Sequence, residues 1–168
     1  MKTSTSRLLA LLATVTPVSS AMAHDIIRHA NPNLPIATSV MVPAGTDMLF
    51  VSGTLAEVAN SSAPAGSIER FGDTAAQAKS VLGKIAKELT ASGFTMNDVV
   101  KMNVYLVGDP RKGGAMDFEG LMQAYIQVYG LRPQEKTLPA RTTLQVAGLP
   151  VPGALVEIEV VAARHAPH

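Results

Sequence analysis

The chain has 168 residues, with 14 Lys and Arg against 13 Asp and Glu, 47% hydrophobic residues and no cysteine. That length suits one domain with a sizeable core. Near-balanced charge leaves no electrostatic footprint for nucleic acid or an anionic membrane surface, and a chain without cysteine gains nothing from disulfides.

In chain order, residues 1–23 read as a secretory signal peptide. Lys2 and Arg7 precede or flank an apolar run, Leu8–Val15, and Ala21-Met22-Ala23 supplies an A-x-A cleavage site. The run is shorter than the roughly 20 apolar residues that span a bilayer. The expectation is export, most simply to a bacterial periplasm, with a mature start at His24 and no membrane attachment after cleavage. Removing residues 1–23 takes away Lys2 and Arg7 but no acid, leaving 12 basic and 13 acidic side chains.

A polar lead-in, 24–34, precedes a domain expected over 35–164, and 165–168 form a short tail. Ile36–Val42 and Asp47–Gly53 read as strands about a turn at Pro43–Thr46. Thr54–Gly72 lacks periodicity and reads as a long loop, a kind that is usually functional or disordered. Asp73–Gly93 reads as a helix with Asp73 as N-cap, Ala78, Leu82, Ile85 and Leu89 at helical spacing, and Gly93 at the C-terminal cap. Lys79, Lys84 and Lys87 belong to its wet face. Asp98–Gly108 is a strand that alternates Val100, Met102, Val104 and Leu106 against Lys101, Asn103 and Tyr105. A second helix over Asp117–Val128 carries Phe118, Leu121, Tyr125 and Val128 as its apolar stripe. A proline-containing loop, 130–140, leads to two last strands. Arg141 heads the first, and Glu157 and Glu159 sit inside the second, Ala154–Ala163.

The order β-β-α-β-α-β-β predicts an α+β fold in two layers, a mixed sheet with two helices on one face. Alternation assigns Leu155, Glu157, Glu159 and Val161 to the helix-free face, and Arg141 is expected beside them. Such a mixed face can meet copies of itself. Charges there are costly unless paired or employed. All four histidines, His24, His29, His165 and His168, lie near the mature ends. Serine–histidine and cysteine–histidine catalysis therefore has no obvious members. No zinc or copper ligand set is spaced for binding, beyond the α-amine and imidazole that a mature His24 would offer.

The stretch PARTTLQVAGLPVPGALVEIEVVA, Pro139–Ala162, resembles the C-terminal signature of the RidA (YjgF) family of reactive imine/enamine deaminases. FVSG, DTAAQAKSVLGKI, DVVKMNVYLV and FEGLMQAYIQVYG match in the same order, so the resemblance covers about Pro35–Arg164. It implies a chorismate-mutase-like fold and a homotrimer with clefts between subunits. The implied activity is that of a 2-iminobutanoate/2-iminopropanoate deaminase, hydrolysing 2-imino acids and their enamine tautomers to 2-oxo acids and ammonia without metal or organic cofactor. It further implies that Arg141 binds the substrate carboxylate and Glu157 handles a water. Ser52, Gly53, Ala140 and Thr143 line the cleft, and Glu159 has a structural or secondary role.

Planar guanidinium suits bidentate carboxylate binding, and an electrophilic imine carbon needs little beyond a held substrate and a general base. The chain departs from the family in carrying Ile36 where many members have tyrosine and Met122 where many have asparagine. It also has one more residue than usual between arginine and glutamate. The competing class is a non-catalytic trimer binding a small carboxylate or a partner protein. A nuclease activity sometimes attached to the family is disfavoured by the near-neutral mature charge.

Exported protein is expected to begin at His24, as read by N-terminal sequencing or intact mass. An exported fraction retaining Met1 would contradict this.

Overall fold

Hydrophobic alternation builds a single sheet with one dry face. The computed structural model describes residues 25–130 and 137–165. Within them lie β1 (Ile27–Ala30), β2 (Ala37–Met41), β3 (Thr46–Leu55), α1 (Thr74–Ala91), β4 (Val99–Val107), α2 (Phe118–Tyr129), β5 (Ala140–Val146) and β6 (Val156–His165). Residues 1–23, expected to be a signal peptide, His24, residues 131–136 of the proline-containing loop and residues 166–168 fall outside the described residues.

The strands form a mixed sheet in the order β1-β2-β5-β4-β6-β3. β4 runs parallel to β5 and antiparallel to β6, and β3 closes the far edge against β6. On β4, Val100, Met102, Val104 and Leu106 are buried, and on β6 so are Val156, Ile158, Val160 and Ala162. All of these except Val100, which sits at the β4 register shift, belong to the core packed under both helices, as the two-layer expectation requires.

The lead-in supplies a strand that the sequence reading did not single out. β1 pairs antiparallel with β2, and its four residues are too few to show a clear period. His29 and His165, though near the mature ends, lie in strands. Only Val42–Gly45 separates β2 from β3, although three strands stand between them in the sheet. A flat sheet would set those strands about 19 Å apart, the whole reach of an extended connection. β2 meets β5 only at its first residue, Ala37, so its end can leave the line of the sheet before the turn at Gly45 (φ 78°).

The Asp73 carboxylate caps α1 by accepting the Ala76 N–H at 2.8 Å, and Gly93, at φ 76°, follows its last turn. Lys79 and Lys87 are exposed as expected, but Lys84 is not simply solvated. Its ammonium donates to the Leu55 carbonyl at 2.9 Å, tying α1 to the end of β3. Asp117 caps α2 through the Gly120 N–H. The buried stripe of α2 is Leu121, Ala124, Tyr125 and Tyr129, while Phe118 and Val128 are 38% and 40% exposed. The stripe is centred on Leu121 and Tyr125, which leaves Phe118 and Val128, the first and penultimate residues of the helix, at its margins.

Two further corrections follow from where β6 begins. The strand starts at Val156, not Ala154, and Leu155 is buried in the core at 2% exposure, not placed on the helix-free face. Gln77 causes this. Fully buried on α1, its amide accepts the Leu155 N–H at 2.7 Å and donates to the Gly72 and Gly153 carbonyls. One side chain thus fixes the end of the long loop and the approach to β6.

Gln77→Met keeps approximate shape but orphans these groups. The buried Leu155 N–H alone should cost about 1–3 kcal/mol, measured by urea unfolding. An unchanged midpoint would show that the clamp is dispensable.

Candidate functional site

Arg141 points to the helix-covered side of the sheet. Its parallel partner on β4 is the core residue Met102, and its guanidinium lies over the Tyr125 ring at 4.3 Å and near Phe118 at 5.7 Å. Nη1 reaches only the Met122 sulfur, at 3.4 Å, and Arg141 forms no ion pair among the described residues. Burial pulls its pKa below the ordinary arginine value, opposed by the nearby Tyr125 phenol. Burial also raises the Tyr125 phenol to about 12, so it stays neutral and donates to the Pro35 carbonyl at 2.9 Å. That bond brings the Pro35-Ile36 segment next to the ring that seats Arg141.

Thr143 lies two residues along the same face, paired with core Val104, and its hydroxyl is buried without a partner. Ala140 begins β5 between Ala37 and Lys101. Arg141 and Thr143 therefore share a side, as alternation predicted. That side is the helix-bearing one, which corrects the expectation that Arg141 lies beside Glu157.

Glu157 projects from the opposite face. Its neighbours Val156 and Ile158 are core residues, and its strand partners are Tyr105 on β4 and Leu55 on β3. The register of β3 slips between Val51 and Thr54, leaving Ser52 and Gly53 as an unpaired bulge. Glu157 lies against this bulge so closely that a Cβ on Gly53 would collide with Oε1 and stand 2.9 Å from Cδ. The sheet thus joins Ser52, Gly53 and Glu157 on one side and Arg141 and Thr143 on the other. Within one chain it keeps the two groups apart.

Glu157 and Glu159 differ in their partners. Oε1 of Glu159 accepts from Asn103 Nδ2 at 2.7 Å and Tyr105 Oη at 3.0 Å. The Glu159 bond raises the Tyr105 pKa above its usual value. Glu157 takes no hydrogen bond from a side chain or backbone among the described residues. It is the free carboxylate of the two, and Glu159 the structurally committed one. Alternation had put Asn103 and Tyr105 on this face, but spacing alone did not reveal their common acceptor. Tyr125, the seat of Arg141, had been read only as core.

The family model described as Endoribonuclease L-PSP matches residues 32–164. The chain belongs to this family, the RidA (YjgF) family. It is 30% identical over 141 residues to 3-aminoacrylate deaminase RutC of Acinetobacter baylyi, covering 84% of this chain and 98% of that one. It is 34% identical over 91 residues to a RutC family protein of Pyrococcus horikoshii, a match spanning 54% of this chain and 63% of that relative. A Rid-family protein of unknown function from Yersinia pestis, YyfB, shares the fold, with a TM-score of 0.57 at 24% identity over 82% of this chain and 98% of that one. RidA membership accords with the two helices packed on a mixed six-stranded sheet.

Gly53→Ala should push the Glu157 carboxylate off the bulge while changing stability by less than about 1 kcal/mol, because the colliding atoms end a flexible side chain. A crystal structure of the variant with thermal melting checks both. An unmoved carboxylate would contradict the close packing.

Proposed function

We propose that this RidA-family chain is a hydrolytic deaminase of 2-imino acids and their enamine tautomers, acting as a homotrimer in the periplasm. The observation that carries the proposal is Arg141, a part-buried guanidinium seated on an aromatic ring with no carboxylate to meet it among the described residues. A desolvated cation without an anion is costly, and a substrate carboxylate would complete it with bidentate hydrogen bonds. The deaminase name of the Acinetobacter relative supports the reaction class. The signal-like sequence of residues 1–23 supports export.

Because the sheet separates Arg141 from Glu157, a site using both draws them from two copies of the chain. A cleft between subunits of a cyclic trimer meets that demand. There Arg141 holds the carboxylate, and the unpartnered Thr143 hydroxyl is available beside it. Glu157 from the neighbouring copy takes a proton from water as the water oxygen bonds to C2. The C2=N π electrons move to nitrogen, which takes that proton to give a carbinolamine. The hydroxyl proton then passes to the same nitrogen as C2=O forms and the C2–N bond breaks, so 2-oxo acid and ammonia leave. Orientation and one general base supply the chemistry. The seat of Arg141 is apolar, with Met122 and Phe118 beside it and Ile36 nearby, which suits imines of small apolar amino acids.

The second reading, a trimer that binds a small carboxylate or partner protein without turnover, is favoured by one contact. The Met122 thioether stands at Arg141 Nη1, where it can neither orient a water nor donate a hydrogen bond.

A coupled assay, with 2-imino acids generated in situ by an amino-acid oxidase, separates the two. Arg141→Lys keeps the charge but loses the fork, and should weaken binding and turnover roughly 10- to 1,000-fold, the equivalent of about 1.5–4 kcal/mol of charge-assisted bonding. Glu157→Gln should lower kcat on the order of 100-fold with a smaller effect on binding. Light scattering must show both variants with the wild-type mass. Full activity in both would eliminate the site, and carboxylate binding by a wild type without turnover would establish the second reading.

A further inference from the structure

Phe118, Met122 and Tyr125 recur at helical spacing on α2 and turn one face of it toward Arg141. The guanidinium lies over the Tyr125 ring, and the Met122 sulfur meets its rim, 3.4 Å from Nη1. The N–H groups of a guanidinium point outward in its plane, so this sulfur occupies a position that a carboxylate oxygen would take. Met122 is only partly buried against the core, and no carboxylate competes for Arg141 among the described residues.

The present occupant is easily displaced. A thioether is a weak acceptor, whereas a carboxylate makes a charge-assisted bond roughly twice as strong as a neutral one. Adding one oxygen to the sulfur changes that balance. A sulfoxide is polar, and its oxygen is bonded to the atom that already faces Nη1. The rotatable bonds of methionine let the oxygen of either sulfoxide epimer turn to the guanidinium. Any cleft that admits a 2-imino acid also admits hydrogen peroxide, a smaller molecule. In the oxidation, a sulfur lone pair attacks one peroxide oxygen, and the S–O bond forms as the O–O bond breaks. The departing hydroxide takes the proton of the transferred hydroxyl. The thioether is oxidised by two electrons and the peroxide is reduced, leaving sulfoxide and water.

We infer that Met122 is a reversible oxidation site whose sulfoxide oxygen bonds Arg141 and shuts the carboxylate receptor. The inference rests on Arg141 as that receptor, which the deaminase reading and the carboxylate-binding reading share. A peroxide makes the modification, and methionine sulfoxide reductases, one for each epimer, undo it. A leucine of similar volume at this position would lack the response.

Calorimetry with 2-oxobutanoate on the assembled protein, before and after hydrogen peroxide, tests this, with oxidation mapped by peptide mass. Untreated wild type should bind. Treatment should oxidise Met122, while Met102, fully buried in the core, stays reduced as a sign that the fold persists. Binding should then weaken at least tenfold and return when both reductases act. Met122→Leu should keep its untreated affinity after peroxide. A crystal structure of the treated wild type should place the sulfoxide oxygen on Arg141 Nη1. Unchanged binding after Met122 is oxidised, or an equal loss in peroxide-treated Met122→Leu, overturns the inference and leaves the receptor standing. A Met122 that resists peroxide overturns it in the same way. An untreated wild type that binds no 2-oxobutanoate removes the receptor itself, and this inference with it.

Discussion

Strand alternation turns the sheet into a wall between Arg141 and Glu157. Arg141 follows the parallel register of β4 onto the helix-covered side, in line with Met102. Glu157, between Val156 and Ile158, is forced to the other side because both neighbours are needed in the core. No rotamer change can bring the two together through a packed sheet. A one-residue slip that put them on one face would turn the whole buried set of β6 outward. The separation is therefore set by the same periodicity that holds the fold together.

What each side then provides follows from its surroundings. On the helix side, α2 offers Tyr125 as a neutral, well-seated ring, and burial leaves the Arg141 guanidinium partly desolvated with no ion-pair partner among the described residues. On the open side, the bulge in β3 leaves Ser52 and Gly53 unpaired, and the missing Cβ of Gly53 makes room for the Glu157 carboxylate. Asn103 and Tyr105 occupy Glu159 and leave Glu157 free. Gln77 fixes where β6 starts, and with it the phase of both glutamates. Each half is well defined in one chain, and the proposed trimer would bring the two together.

Much of this was legible in the sequence. The 3.6-residue spacing of α1, its Asp73 cap and the clean alternation of β4 lie on the page because packing there agrees with local preference. The lysines of α1 were read as one class, yet Lys84 meets a carbonyl at the end of β3, a contact set by tertiary placement. β1 is too short to carry a period. Leu155 was placed by extending the alternation of β6 two residues too early, and the buried amide of Gln77, which ends that alternation, gives no local signal. The motif around Arg141 and Glu157 pointed to the right residues but not to the faces they occupy. Parity within each strand was readable, whereas the relation between two strands that are not neighbours depends on the register each forms with β4.

The central claim is that Arg141 and Glu157 complete one site only across two copies of the chain. Subunit mixing tests it most directly. Arg141→Lys and Glu157→Gln proteins, each of low activity, are unfolded and refolded together in equal amounts, and imine hydrolysis is compared with the two parents refolded alone. In randomly mixed trimers, about a quarter of the clefts join an intact Arg141 to an intact Glu157 from the neighbouring copy, so activity should recover toward a quarter of the wild-type value. Mixed trimers that show no more activity than the average of the two parents would contradict a shared site.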